Sequence, residues 1–269
     1  MKTTSFVTTQ SPLGLPSRLF SKTITMMAMV AALWLSLAGN FAHAFPTIGG
    51  PRDPLPPVFP PIAGENFGYF SVRPDLRKCA FPMCGGVFVQ RVNHFTTRCA
   101  DGRLRPECYV AGVSLRALDL PPDQEDSVQV RIKNGTVLLK GQLIVKPFSP
   151  LNTPGLFDAT EVWLAATDAR PSGTFFRALD TGLVCIAAPC LSFQEYKLNS
   201  FGQNDIAGVD LSLVGADNEQ LESAHEALRT DEGILVAGQH KLVSGPAGEA
   251  SALVASQFYL PVLAGKLEK

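Results

Sequence analysis

The chain has 269 residues, and its 23 basic and 24 acidic side chains give a formal net charge of −1 at pH 7. This balance, without a dense run of lysine or arginine, argues against electrostatic capture of nucleic acid. The six cysteines are an even number, which favours a disulfide framework in an exported chain.

Residues 1–44 have the pattern of a secretory signal peptide. An apolar run at 24–38 precedes a small-x-small cleavage site at 42–44, and this run is shorter than the ~20 residues that a membrane span needs. The alternative is an uncleaved membrane anchor. Cleavage leaves 20 basic side chains against 24 acidic ones, a net charge of −4. We therefore expect a secreted or periplasmic protein with no membrane span after signal cleavage.

Residues 45–65 are predicted to be a Pro-rich spacer, because seven prolines lie within 46–63. Repeated proline fixes φ and removes backbone donors, so this stretch cannot join a sheet and should be extended. The alternative function is that of a ligand for a polyproline-binding groove.

The rest of the chain contains an internal repeat. Cys79 and Cys84 are followed by Asn93, and 106 residues later Cys185 and Cys190 are followed by Asn199. A period near this length predicts two copies of one small domain. We place unit one at 66–167 and unit two at 173–262, separated by a short polar Pro/Gly segment.

The predicted elements of both units have the order β-β-β-α-β-β. In unit one, the strands are 67–73, 86–93, 109–115, 136–146 and 159–165, and the helix is 122–133. In unit two, the strands are 174–179, 193–199, 206–214, 234–243 and 251–260, and the helix is 217–229. Strands joined by short loops usually pair antiparallel. The sequence therefore predicts an α+β fold of two tandem homologous units, each a disulfide-braced antiparallel sheet with one helix.

The two predicted helices differ in strength. The helix at 217–229 begins at Asp217 and has Leu221, Ala224 and Leu228 on one face. The helix at 122–133 has only Val128 and Ile132 four residues apart, so we expect it to be the shorter and weaker of the two.

The cysteine pairing follows from the repeat, if each unit folds independently. Unit two has only Cys185 and Cys190, which must then pair, and Cys79 pairs with Cys84 by equivalence. Cys99 and Cys108 lie in a segment of ten extra residues in unit one, which most simply closes on itself. These spacings are poor for zinc or a redox dithiol, so we predict no metal.

The sequence contains no recognisable catalytic motif. There is no Gly-x-Ser-x-Gly elbow and no phosphate-binding loop. His225-Glu226 begins like a zinc-protease helix, but Arg229 stands where the second histidine is needed. We predict no catalytic residue and no cofactor.

The ten-residue insertion is the candidate contact surface. Charged residues on a disulfide-closed loop can form a recognition surface, although the alternative is an ordinary solvated loop. The candidate binding residues are His94, Arg98, Asp101, Arg103, Arg105 and Glu107.

The motifs Cys79-x4-Cys84-Gly-Gly, Arg91-Val92-Asn93 and Cys99-Ala-Asp-Gly102 resemble those of an uncharacterised domain of exported bacterial proteins, a domain of unknown function. The resemblance implies a bacterial envelope or secreted location. It transfers no catalytic residue.

Three functions stay open at this point. The favoured one is a non-enzymatic exported binding or structural module, whose partner would be an unknown protein or an envelope ligand. The second is a secreted protease inhibitor that presents a disulfide-closed loop. The third is a secreted hydrolase with an inter-lobe cleft, using carboxylates such as Asp101 or Asp210, which would have to lie about 5–10 Å apart.

Overall fold

The computed structural model describes residues 66–145 and 154–263. Of these residues, 46% lie in strands and 14% in helices. The strands of the first half are β1 Phe67–Pro74, β2 Val87–Arg91, β3 Thr97–Arg98, β4 Leu104–Arg105, β5 Cys108–Ser114, β6 Val137–Val145 and β7 Gly155–Ala165. Those of the second half are β8 Thr174–Asp180, β9 Phe193–Lys197, β10 Gln203–Ile206, β11 Val209–Asp210, β12 Ile234–Gly245 and β13 Gly248–Pro261. The predicted signal peptide and spacer lie outside the described residues.

Five strands of the first half form a closed barrel. Their order is β7-β5-β2-β1-β6, and β6 pairs again with β7. β5 and β7 are parallel and the other pairs are antiparallel. Alternate side chains point inward, as the pleat requires, and fill the barrel. Phe70 and Phe157 meet edge to face at its centre, with ring centroids 5.1 Å apart.

The second half continues the same sheet. Its strands have the order β10-β9-β8-β12-β13, and β11 lies parallel to β13. β13 then pairs with β7 through Tyr259↔Ala165 and Leu260↔Leu164. A second core, which includes Phe176, Ile234 and Phe258, packs behind these strands. The two halves are therefore joined by hydrogen bonds from strand to strand.

A third buried cluster connects the two halves. It contains Val92, Leu138, Trp163, Leu198, Leu235 and Tyr259. Burial of these side chains removes apolar surface of both halves from water, and this is a strong force for keeping them together.

Two asparagines fasten this junction reciprocally. The Asn93 side chain accepts from the Phe175 N–H (2.9 Å) and donates to the carbonyls of Phe175 (2.8 Å) and Leu198 (3.0 Å). The Asn199 side chain accepts from the Tyr69 N–H (2.8 Å) and donates to the carbonyls of Tyr69 (2.8 Å) and Val92 (3.0 Å). Asn93 and Asn199 have φ of 62° and 56°, a conformation that asparagine tolerates better than most residues. Each half therefore completes the backbone hydrogen bonding of the other.

The predicted fold class is wrong. The described chain is mostly β, with a closed five-stranded barrel and extra strands, and not two tandem units of a sheet with one helix. The prediction failed because alternation of apolar residues shows which residues face a core, but not which strand lies beside which. It therefore missed the β1–β6 pair, the parallel pairs and the β7–β13 link.

The two helices cover the sheet beside this link. α1 Pro122–Asn134 has proline in its first turn and ends at Gly135, whose φ is 76°. α2 Asn218–Leu228 begins with a capping box between Asp217 and Gln220. α1, with 13 residues, is longer than α2, with 11 residues, against expectation. Neither helix, nor any other in the described ranges, is long and apolar enough to cross a membrane.

Candidate binding surface and helix cleft

The ten-residue insertion forms a hairpin held by a buried disulfide. β3 and β4 pair through Thr97↔Arg105 and Arg98↔Leu104. Cys99 and Cys108 form a disulfide, as the sequence predicts, and both residues pack into the core of the barrel. The predicted Cys79–Cys84 and Cys185–Cys190 disulfides are also present. The exposed hairpin is thus tied at its base to a rigid scaffold.

Four of the six candidate residues lie together on this hairpin. The Asp101 carboxylate pairs with Arg105 at 2.8 Å and accepts from the Arg103 N–H at 3.1 Å. Arg98 donates to the Gly102 carbonyl at 3.3 Å. The Arg103 side chain is exposed, and Leu104 beside it is 60% exposed. The tip therefore presents arginine and leucine to solvent on a backbone fixed by the disulfide.

The other two candidate residues make contacts within the protein. The His94 Nε2 lies 3.1 Å from the Asn199 carbonyl, so this side chain belongs to the junction between the halves. Glu107 accepts from Arg73 on β1 at 3.0 and 2.5 Å. These hydrogen bonds raise the pKa of the Arg73 guanidinium. Both side chains therefore support the scaffold.

The Cys79–Cys84 loop is fixed by stacked side chains. The Arg77 guanidinium lies 5.0 Å from the Phe88 ring centroid and 4.7 Å from that of Tyr109. Arg77 also donates to the Met83 carbonyl, and the Tyr109 hydroxyl donates to the Pro82 carbonyl at 2.8 Å. Cation–π contacts and hydrogen bonds of this kind fix a loop that has little core of its own.

The carboxylates proposed for a hydrolase are engaged elsewhere. Asp101 pairs with Arg105 on the hairpin. Asp210 accepts from the Ser212 N–H at 3.0 Å, and its hydrogen bonds with Ser212 lower the pKa of the Asp210 carboxyl. Neither residue lines the cavity of about 480 Å³ between β1 and residues 167–171 or the cavity of about 450 Å³ between the helices.

The second cavity is a cleft that sequence reasoning missed. α1 and α2 form its walls, and residues of β7 and β13 lie at its base. Gln124 lines the cleft and is only 6% exposed. The sequence signal was the spacing of Gln124, Val128 and Ile132, four residues apart on one helix face.

A buried carboxylate in the second half, and the partly exposed histidine that contacts it, were also missed. Glu195 is 0% exposed, and the His240 Nε2 lies 2.8 and 2.9 Å from its two carboxylate oxygens. Asn204 donates to Glu195 at 3.1 Å, and the His240 ring meets the Phe176 ring edge to face. A single charged residue in a strand pattern usually faces solvent, so Glu195 is expected outside and its burial is not predictable from its neighbours in the chain.

Within residues 66–145 and 154–263, no group of three or more His, Cys, Asp or Glu side chains is arranged to hold a metal ion.

Comparison with known proteins gives a family and no function. The searches of curated proteins and of solved structures found no match. Residues 68–265 match the family described as Domain of unknown function (DUF6748). Since this match covers well over half of the chain, the protein belongs to that family.

Proposed function

We propose that the chain is an exported, non-enzymatic binding module, and that the 99–108 hairpin is its contact surface. The observation that carries this proposal is the construction of the hairpin. A disulfide buried in the barrel fixes its base, while Arg103 and Leu104 are exposed at its tip. Arginine beside an apolar side chain is typical of protein contact surfaces, since it combines charge-assisted hydrogen bonds with apolar contact.

The compartment is supported by the disulfides. Three disulfides in the described residues are typical of a chain that folds in an oxidising, extracellular or periplasmic environment. We propose secretion or the periplasm of a bacterium as the location, with residues 1–44 as the signal peptide.

The partner should be acidic. Within residues 99–108, Asp101 pairs with Arg105 and Glu107 pairs with Arg73, whereas Arg103 has no acidic partner among the described residues. The exposed Arg103 guanidinium would favour an acidic protein surface or an anionic envelope polymer, and the attraction would weaken with salt.

A capture experiment tests this proposal. Wild-type protein, an Arg103→Glu/Leu104→Ser variant and an Arg170→Glu control are used to capture components of the envelope and secreted fractions. Arg170 is an exposed arginine outside the hairpin. We expect a component that binds wild type and the control but not the hairpin variant. Its direct binding, measured after purification, should weaken at least several-fold between low and physiological salt.

An identical set of captured components for all three proteins would contradict the hairpin as the contact surface. The protease-inhibitor alternative has its own test, a panel of secreted proteases. Inhibition by wild type that is lost on deletion of 99–108 would favour that alternative instead.

A further inference from the structure

The cleft between α1 and α2 has the dimensions of a ligand site. Its volume is about 450 Å³, within the range of about 300–1,000 Å³ that is usual for small-molecule pockets. Apolar residues of both sheet halves line its base, and they include Leu164, Ala166, Leu260 and Val262. Such a surface suits an apolar ligand body.

One polar atom in this cleft is buried without a partner. Gln124 is 6% exposed, and its Oε1 has no hydrogen-bond donor among the described residues. Its Nε2 donates to the Leu263 carbonyl at 3.5 Å, which orients the amide. Buried carbonyl oxygens almost always receive a hydrogen bond, because burial without one is costly. Because Gln124 lines the cleft and its oxygen is covered, a small rotation of the amide would offer this acceptor to a ligand.

The charges around the cleft balance. Arg131 comes from α1 and Glu226 from α2, one basic and one acidic side chain. Arg131 already donates to the Ala165 carbonyl at 3.2 Å and lies 4.0 Å from the Asp168 carboxylate. The cleft therefore offers no excess of either charge, and this favours a neutral ligand.

We infer that the cleft binds a small, neutral, amphipathic molecule, and that its hydroxyl or amide N–H donates to the Gln124 Oε1. The apolar part of the molecule lies on the base formed by β7 and β13. Gln124 is then the residue that distinguishes ligands with a donor from those without one, since a ligand without a donor leaves the oxygen unsatisfied.

A matched pair of probes tests this inference. The neutral dye N-phenyl-1-naphthylamine is bound to the purified chain, and 1-decanol or 1-methoxydecane is added to displace it. The two probes have the same alkyl chain, but only the alcohol has a donor. We expect saturable dye binding, and displacement by the alcohol at about tenfold lower concentration, the value of one net hydrogen bond.

Two variants assign the effect to the cleft. Gln124→Leu should keep dye binding, and the alcohol and the ether should then displace the dye equally. Ala227→Trp places a large ring in the cleft and should abolish saturable dye binding, whereas Glu222→Trp, on the exposed face of α2, should not. Circular dichroism and the unfolding midpoint verify that each variant is folded.

Three results would overturn the inference. The first is no saturable dye binding by wild type, or binding that Ala227→Trp leaves intact. The second is equal displacement by alcohol and ether in wild type, since Gln124 then selects nothing. The third is binding only after truncation at Leu263, since residues 264–269 would then be the occupant. The inference is independent of the hairpin proposal, because Arg103→Glu/Leu104→Ser should leave dye binding unchanged.

Discussion

Two strand pairs, β2–β5 in the barrel and β9–β10 in the second half, each contain a fully buried side chain, and one of these side chains is apolar while the other is charged. In the barrel, β2 places Val89 opposite Cys108 of β5. In the second half, β9 places Glu195 opposite Asn204 of β10. Val89 and Glu195 are both 0% exposed. One buried position is therefore apolar, and the other is a carboxylate that accepts a hydrogen bond from the neighbouring strand.

A second pair of positions also differs, and here the His240 side chain is 37% exposed, whereas Leu143 is buried. Leu143 on β6 is opposite Phe157 of β7, and His240 on β12 is opposite Leu253 of β13. Leu143 completes an apolar core, whereas the imidazole of His240 contacts the Glu195 carboxylate. The same arrangement of strands can therefore bury either an apolar side chain or a carboxylate. The carboxylate, however, needs hydrogen-bond partners around it.

Removing the histidine that contacts the buried Glu195 should have the largest effect. In His240→Leu, the Glu195 carboxylate keeps only the Asn204 hydrogen bond and stays buried. A buried charged acceptor that loses its hydrogen-bond donor costs about 4 kcal/mol, because neither water nor another donor replaces the one removed. Urea unfolding at pH 7 should show this loss of unfolding free energy, while Leu143→Val in the barrel should cost only about 1 kcal/mol. Equal losses would contradict a special role for the pair.

The disulfides provide the next contrast. Cys99→Ala/Cys108→Ala removes a disulfide whose cysteines pack in the barrel core, so we expect a loss of about 3 kcal/mol. Cys185→Ala/Cys190→Ala opens an exposed, shorter loop and should cost about 2 kcal/mol or less. Denaturant midpoints of the two variants measure the difference. A larger loss in the exposed loop would show that burial of the cysteines does not decide their contribution.

The sequence predicts the features that depend on residues close together in the chain. Ring closures over five or nine residues can be inferred from cysteine spacing, and Asp217 is an evident start for α2. The β1–β6 and β5–β7 pairs, which close the barrel, could not be inferred, because they depend on which distant strands become neighbours. The change in repeat offset marked the segment that forms the β3–β4 hairpin. Gln124 has the same four-residue spacing as Val128 and Ile132, whereas the burial of Glu195 depends on contacts with distant elements and has no signature in adjacent residues.

At the junction, the two halves make equivalent hydrogen bonds to each other. Asn93→Gly and Asn199→Gly each remove three reciprocal side-chain hydrogen bonds, while glycine accepts the positive φ of both positions. We expect losses of about 2 kcal/mol in either variant, since each net hydrogen bond contributes about 0.5–1.5 kcal/mol. Thermal unfolding of both variants checks this equality. A loss in one variant only would mean that the reciprocal contacts are not energetically equivalent.

The smallest effect is expected when both Glu195 and His240 are replaced. Glu195→Val/His240→Leu gives the second half the side chains of Val89 and Leu143 in the barrel. The buried carboxylate and its donor then disappear together, and replacement of both hydrogen-bond partners by apolar groups of similar shape can be nearly neutral or stabilising. We expect an unfolding free energy within about 1 kcal/mol of wild type, although His240→Leu alone loses about 4 kcal/mol. A double variant as unstable as the single one would mean that the second half needs the His240 ring for packing on Phe176, and not for its contact with Glu195.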